Sequence, residues 1–150
     1  MGGRDRPVHR RMTPEELRRR FAAARVARLA TADASGRPHL VPVVFALAGE
    51  TIYSAVDAKP KRSTALRRLA NVAANPRVAL LVDHYTEDWR QLWWVRVDGL
   101  GRVLDPAAPE AAEGVARLVE RYPPYRSAPP GGPVLAVDVT RWSGWSAAGD

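Results

Sequence analysis

The sequence predicts a mainly β, α+β domain: a small barrel of six antiparallel strands with two or three helices packed outside it. Three observations lead there. Short apolar runs bounded by Gly, Pro, Asn and Asp recur along the chain. The first of these runs follow one another closely enough to be hairpins. Helical spacing then enters between strands, without the repeating rhythm that a parallel βαβ sheet needs. At 150 residues with 46% hydrophobic content, one such domain can bury a proper core.

Residues 1–12 carry Gly, Arg and Pro without periodicity and read as a flexible basic arm, leaving 13–150 as the folded domain. Thr13-Pro14-Glu15-Glu16 supplies an N-cap, a proline at the first helical position and a glutamate at the third. Leu17, Phe21 and Ala24 give the helix that follows an apolar stripe. Residues 25–31 form the first strand, and Asp33 to Gly36 its turn. Residues 39–47 form the second strand and 51–56 the third, with Ala48-Gly49-Glu50 between them.

Leu66, Leu69, Val72 and Ala73 then stand at helical spacing until Asn75-Pro76. Residues 77–82 read as a fourth strand, apolar enough for burial on both faces, and 83–88 as a polar loop. Residues 92–104 form a long fifth strand in which Gly99 and Gly101 mark a bulge. Ala111, Val115, Leu118 and Val119 line a helix over 109–121. A proline-rich stretch precedes the sixth strand, 133–140, and Arg141 to Trp145 close the pattern.

The net charge of +7 is unevenly spread. Residues 1–28 hold nine arginines against Asp5, Glu15 and Glu16, whereas residues 29–150 balance 14 basic against 13 acidic side chains. The body is nearly neutral and carries no nucleic-acid recognition motif, so nucleic acid is not the expected partner. No apolar run approaches the length of a membrane span, and the arginine-rich start lacks the apolar core of a secretory signal. The absence of cysteine excludes thiolate chemistry and fits a cytoplasmic protein.

His9, His39 and His84 stand too far apart for a metal-ligand spacing. There is no nucleophile elbow, GxGxxG fingerprint or Walker loop, and no acid/base pair. An enzyme built on this chain would therefore leave the reaction to a cofactor.

The segment Ala58-Lys59-Pro60-Lys61-Arg62-Ser63-Thr64 stands out, because Lys59 and Lys61 are the only lysines beside 21 arginines. Two ammonium groups and two hydroxyls before a helix start suit a phosphate, although a solvated polar turn would carry the same residues. Pro42 interrupts an apolar strand, which places that strand at an edge or lets its backbone meet a flat ligand. Five tryptophans cluster at 89–94 and 142–145. Alternation puts Trp93 and Trp94 on opposite faces, for core or dimer packing or for stacking on a planar ligand.

The order of three segments, VARLATADASGRPHLVPVVFAL, TIYSAVDAKPKRSTALRRLANVAANPRVALLVDHY and LWWVRVDGLGRVL, resembles the pyridoxamine 5′-phosphate oxidase-like, FMN-binding split β-barrel superfamily. Within it the chain is most similar to the actinobacterial coenzyme F420-dependent oxidoreductases. The resemblance covers about residues 21–145.

It implies a homodimer with two cofactor sites at the subunit interface. The flavin or deazaflavin ring would lie along His39, Leu40, Val41, Pro42 and Val43. Its phosphate would be held by Ser54, Ala55, Val56, Lys59, Pro60, Lys61, Ser63 and Thr64, with Trp94 and Trp142 or Trp145 closing the pocket. Arg62, Arg67 and Arg68 would screen the polyglutamate tail of F420. Arg141-Trp142 is not followed by the arginine-leucine-x-proline signature of vitamin B6 oxidases. The resemblance therefore implies hydride transfer between F420 and a small organic molecule. FMN-dependent chemistry and a non-catalytic F420 carrier are the alternatives.

Overall fold

The computed structural model describes residues 9–56 and 64–147, with backbone alone at 9–10 and 64–65. Its strands are β1 (His9–Arg10), β2 (Ala27–Ala32), β3 (Pro38–Val43), β4 (Ala46–Ala48), β5 (Thr51–Ala55), β6 (Arg77–His84), β7 (Trp93–Leu104) and β8 (Val134–Ala147). Its helices are α1 (Pro14–Ala23), α2 (Thr64–Ala74), α3 (Pro109–Arg121) and the single turn α4 (Pro124–Ser127), with a 3-10 turn at Trp89–Gln91. All the strand pairings are antiparallel.

Strands follow the order β3-β2-β6-β7-β8-β5-β4, and β1 pairs with β8. The two ends of this order are consecutive in the chain, joined only by Val44 and Phe45. A link that short reaches about 11 Å from Val43 to Ala46. The sheet must therefore curl until its first and last strands nearly meet, which makes it a split barrel.

Eight strands replace the expected six for identifiable reasons. The run 39–47 divides at Val44 and Phe45, because the chain turns there from one end of the sheet to the other. The last strand continues through Trp142 and Trp145, paired along its length with β7. Arm residues His9 and Arg10 add a short strand against Ala147 and Ser146, and Met12 is buried, so the loose arm expected over 1–12 is held from residue 9 onward. The fourth strand is also less enclosed than its run suggests: Val78, Leu80 and Val82 are buried, while Ala79 and Leu81 are only half-buried.

The local signals of the helices are realised. Thr13 Oγ1 accepts the amide of Glu16 at 3.2 Å, and Pro14 opens α1. Leu17 and Phe21 point from α1 into the barrel, where the Phe21 ring lies 4.8 Å from Phe45 and meets Trp142 edge-on at 5.5 Å. Leu29, Ile52, Leu80, Val82, Val95, Val97 and Leu135 fill the remaining interior. Helix α3 packs outside on β4, β5 and β8, with Ala111 and Leu118 buried. The bulge falls between Asp98 and Gly99, where any side chain would start 2.6 Å from the carbonyl oxygen of Asp138.

Strand β3 lies at the open end of the sheet, paired on one side only among the described residues. That explains how it tolerates both Pro38 and Pro42, which have no amide to donate.

Candidate functional site

The pairing register sorts the predicted ring-binding strand into two faces. Val43 and Val41 lie opposite Ala27 and Leu29, which are buried, and His39 lies opposite buried Thr31. Pro42 and Leu40 lie opposite Arg28 and Ala30 on the outer face. Continuing across β6 and β7, Arg28 aligns with Leu81 and then Arg96, and Asp83 with Trp94. Trp94 thus shares the outer face with Leu40 and Pro42, at a distance of three strand positions across the sheet. Leu40 is 67% exposed, a high value for a leucine in a strand.

Beside the inner edge of β3 opens a hollow of about 260 Å³, lined by Asp33, Arg37, Pro38, His39, Arg67 and Asn71. Two elements build it. The β2–β3 turn is shaped by Asp33, whose Oδ1 accepts from the amides of Ser35 and Arg37 at 2.9 Å each and from the Ser35 hydroxyl at 2.7 Å. Those bonds, the Ser35 hydroxyl foremost, hold the Asp33 carboxyl below its ordinary pKa, so it stays ionised in the turn. Helix α2 forms the other wall. Its Asn71 donates to Thr31 Oγ1 at 3.1 Å in a buried bond that ties the helix to the hairpin.

His39 is brought to this hollow by its cross-strand pairing with Thr31. Its Nδ1 is buried and has no hydrogen-bond partner. An orphaned buried nitrogen costs about 1–3 kcal/mol, a cost that a bound polar group would remove. Arg67 and Arg37 give the hollow a positive rim against the single carboxylate of Asp33.

The predicted phosphate-binding residues divide. Ser54, Ala55 and Val56 are buried, and the Ser54 hydroxyl donates to the carbonyl of Val44 at 2.9 Å. They carry β5 outward to residue 56, where the Val56 amide bonds Pro133. Lys59, Pro60, Lys61 and Ser63 lie outside the described residues, as does Arg62. Thr64 opens α2, and Arg67 follows it by one helical turn, so the loop ends where the rim of the hollow begins.

Of the tryptophans, Trp142 donates its indole N–H to Glu50 Oε2 at 3.2 Å, and Arg18 lies 5.5 Å over its ring. Trp145 pairs with Trp94 across β7 and β8. Asp33, Arg37 and Asn71 went unnoticed in the sequence as site residues. The turn residues carried a local signal, but nothing in the chain order tells that α2 packs beside that turn. Among the described residues no group of three or more His, Asp or Glu could hold a metal ion. No described helix is long and apolar enough to cross a membrane.

A sequence model of the family described as pyridoxamine 5′-phosphate oxidase matches residues 13–146. No curated protein sequence matches. The chain is similar to the crystal structure of a FAD-binding protein from Mesorhizobium loti, with 23% identity and a TM-score of 0.73, over 94% of this chain and 99% of the other. A conserved hypothetical protein from Mycobacterium tuberculosis has 23% identity and a TM-score of 0.68, over 90% of this chain and 85% of the other. The heme storage protein HutZ from Vibrio cholerae has 17% identity and a TM-score of 0.67, over 92% and 96%. At these identities the likeness establishes the fold.

Proposed function

The chain belongs to the pyridoxamine 5′-phosphate oxidase family, and on that premise we propose that it is an oxidoreductase working with coenzyme F420. It would transfer a hydride between that deazaflavin and a small organic substrate. The single observation that carries the reading is the edge of β3, unpaired among the described residues, which borders a hollow holding a His39 Nδ1 with no partner among them.

The described residues fit a phosphorylated flavin-type ring. Along the unpaired side of β3 the Leu40 amide can donate and the carbonyls of Leu40 and Pro42 can accept, a short set of groups suited to the pyrimidine edge of such a ring. His39 offers one further polar contact. The lysine loop would meet the phosphate, since it enters α2 one turn before Arg67, and the helix N-terminus adds to its field. Leu40 and Pro42 would exclude water from one side. When bound, the ring supplies the hydride chemistry, and the protein's part is positioning.

FMN is the second reading, favoured by the likeness to the FAD-binding protein of Mesorhizobium loti. We also propose a homodimer with the cofactor sites at its interface. Exposed Leu40 and Pro42, with half-buried Ala30, Ala79 and Leu81, make the outer face of β3, β2 and β6 apolar enough to pair with a second copy.

Titration of the purified protein with F420 and with FMN, read by fluorescence quenching, tests the choice of cofactor. Tight F420 binding and turnover on a panel of enones and quinones is the expected result. Tight FMN binding without a response to F420 would replace the first reading by the second, and F420 binding without turnover would favour a carrier.

A further inference from the structure

A second hollow, of about 550 Å³, opens between the end of α1 and the ends of β2, β6 and β7. It shares no lining residue with the hollow beside His39. Four arginines converge on it: Arg19 and Arg20 from the C-terminal half of α1, Arg25 from the connection, and Arg28 from β2. The carboxylate in its lining, Asp83, is taken by Arg28 at 3.3 Å. Arg19, Arg20 and Arg25 form no ion pair among the described residues.

Arg25 donates to the carbonyl oxygen of Arg121 at 3.3 Å, so its contact there is with a neutral acceptor and no carboxylate balances the three charges among the described residues. The rear wall is aromatic and fixed. Arg20 lies 5.1 Å over the Trp93 ring, and His84 stacks on Trp93 at 6.3 Å with 20° between the planes. Packing of Trp93 against the main core keeps this wall in place.

Helix polarity explains part of the pattern, because the C-terminal turn of α1 favours cations. It does not explain why Arg25 and Arg28, beyond that turn, face the same space. Arg18, adjacent in sequence, turns away to Glu50 and Trp142. The volume is in the range of small-molecule sites and far exceeds what a single chloride fills.

We propose that this hollow is a binding site for a small oligoanion bearing two or three carboxylate or phosphate groups. Arg19, Arg20 and Arg25 would hold the anionic groups in charge-assisted bonds. The Trp93–His84 wall would pack against the carbon or ester framework. The site stands on its own residues and does not depend on the identity of the cofactor at β3.

Citrate and pyrophosphate, titrated separately into the full chain at constant ionic strength, test it by calorimetry and by the indole N–H signal of Trp93, assigned with Trp93→Phe. Saturable binding that moves the Trp93 signal is expected for at least one probe, and which one binds tells carboxylate from phosphate recognition. An Arg19→Gln/Arg25→Gln variant should weaken that binding at least about tenfold, the scale of losing charge-assisted bonds. Both side chains are exposed, so the fold should survive, and exposed Arg117→Gln on α3 serves as the charge control. Non-saturating shifts with both probes, binding unchanged in the double variant, or an equal loss in Arg117→Gln would each overturn the proposal.

Discussion

Arg121 donates to the carbonyl oxygen of Phe45 at 2.7 Å, across 76 positions of sequence, and so fastens the last turn of α3 to the corner where β3 passes into β4. The Tyr122 hydroxyl donates to the same oxygen at 2.9 Å and accepts the Phe45 amide at 3.2 Å. Arg121 also reaches the carbonyl of Ala24 and lies 4.9 Å from the centre of the Phe45 ring. A chain leaving one end of a sheet for the other strands its backbone groups at the turn, and these two side chains satisfy them.

Arg121→Leu should therefore destabilise the protein by about 2 kcal/mol and Tyr122→Phe by about 1 kcal/mol, as read from urea unfolding midpoints. The double variant should fall short of their sum, because both act on one carbonyl. Fully additive losses would show that the two contacts are independent.

Asn71→Leu removes the donor to Thr31 and leaves a buried hydroxyl with one fewer partner. A loss of about 1–2 kcal/mol in unfolding free energy is expected. Restoring most of that stability with Thr31→Val in the same chain would demonstrate that the cost lies in the abandoned hydroxyl. No recovery would assign it to packing instead.

Acid sensitivity should centre on Asp138. Arg102 forks between its two oxygens at 2.7 and 3.0 Å, and these bonds, with a smaller part from the Thr51 hydroxyl, lower the Asp138 pKa; Arg102 also holds Glu110 at 3.0 Å. The sign follows from linkage. A depressed native pKa stabilises the fold above the unfolded value of about 3.9, and that contribution disappears as pH falls through the native pKa. Because the pair is roughly half exposed, its worth is held to about 1 kcal/mol or less. The stability gap between wild type and Asp138→Asn should be constant above about pH 5 and shrink below about pH 4. A gap unchanged down to pH 2 would contradict this.

At the proposed cofactor site, Lys61→Ala should weaken binding by about 1.5–3 kcal/mol, the worth of a hydrogen bond to a charged group. His39→Leu should cost about 1–3 kcal/mol, because it removes one contact and with it the relief that binding gives to an orphaned nitrogen. Equilibrium titration with the bound cofactor reads both. Unchanged affinity in Lys61→Ala would return the lysine loop to a solvated turn.

Much of this architecture was legible in the chain because local chemistry decides it. Thr13, Pro14 and Glu16 mark a helix start wherever they occur together, and Gly99 marks the bulge. Of the readings Pro42 left open, the edge strand agrees with the pairing among the described residues. What escaped is set by distant contacts. Residues 39–47 read as one strand since every one of them favours extended backbone, and only Arg121 and Tyr122, far along the chain, stabilise the break at Phe45. The arginines of the second hollow looked like a charged helix face and tail. Their convergence depends on β6 and β7 ending beneath α1.

The place of β8 in the sheet, between β7 and β5, bears on how the protein is made. Residues 134–147 leave the ribosome after the other described strands, yet they are the piece that joins the two halves. Until then a nascent chain carries unpaired edges on both β5 and β7, and Thr51 waits for a partner 87 positions downstream. A chain halted before residue 134 therefore exposes two sheet edges that can pair with other chains, which makes the interval before β8 is added the one most open to aggregation.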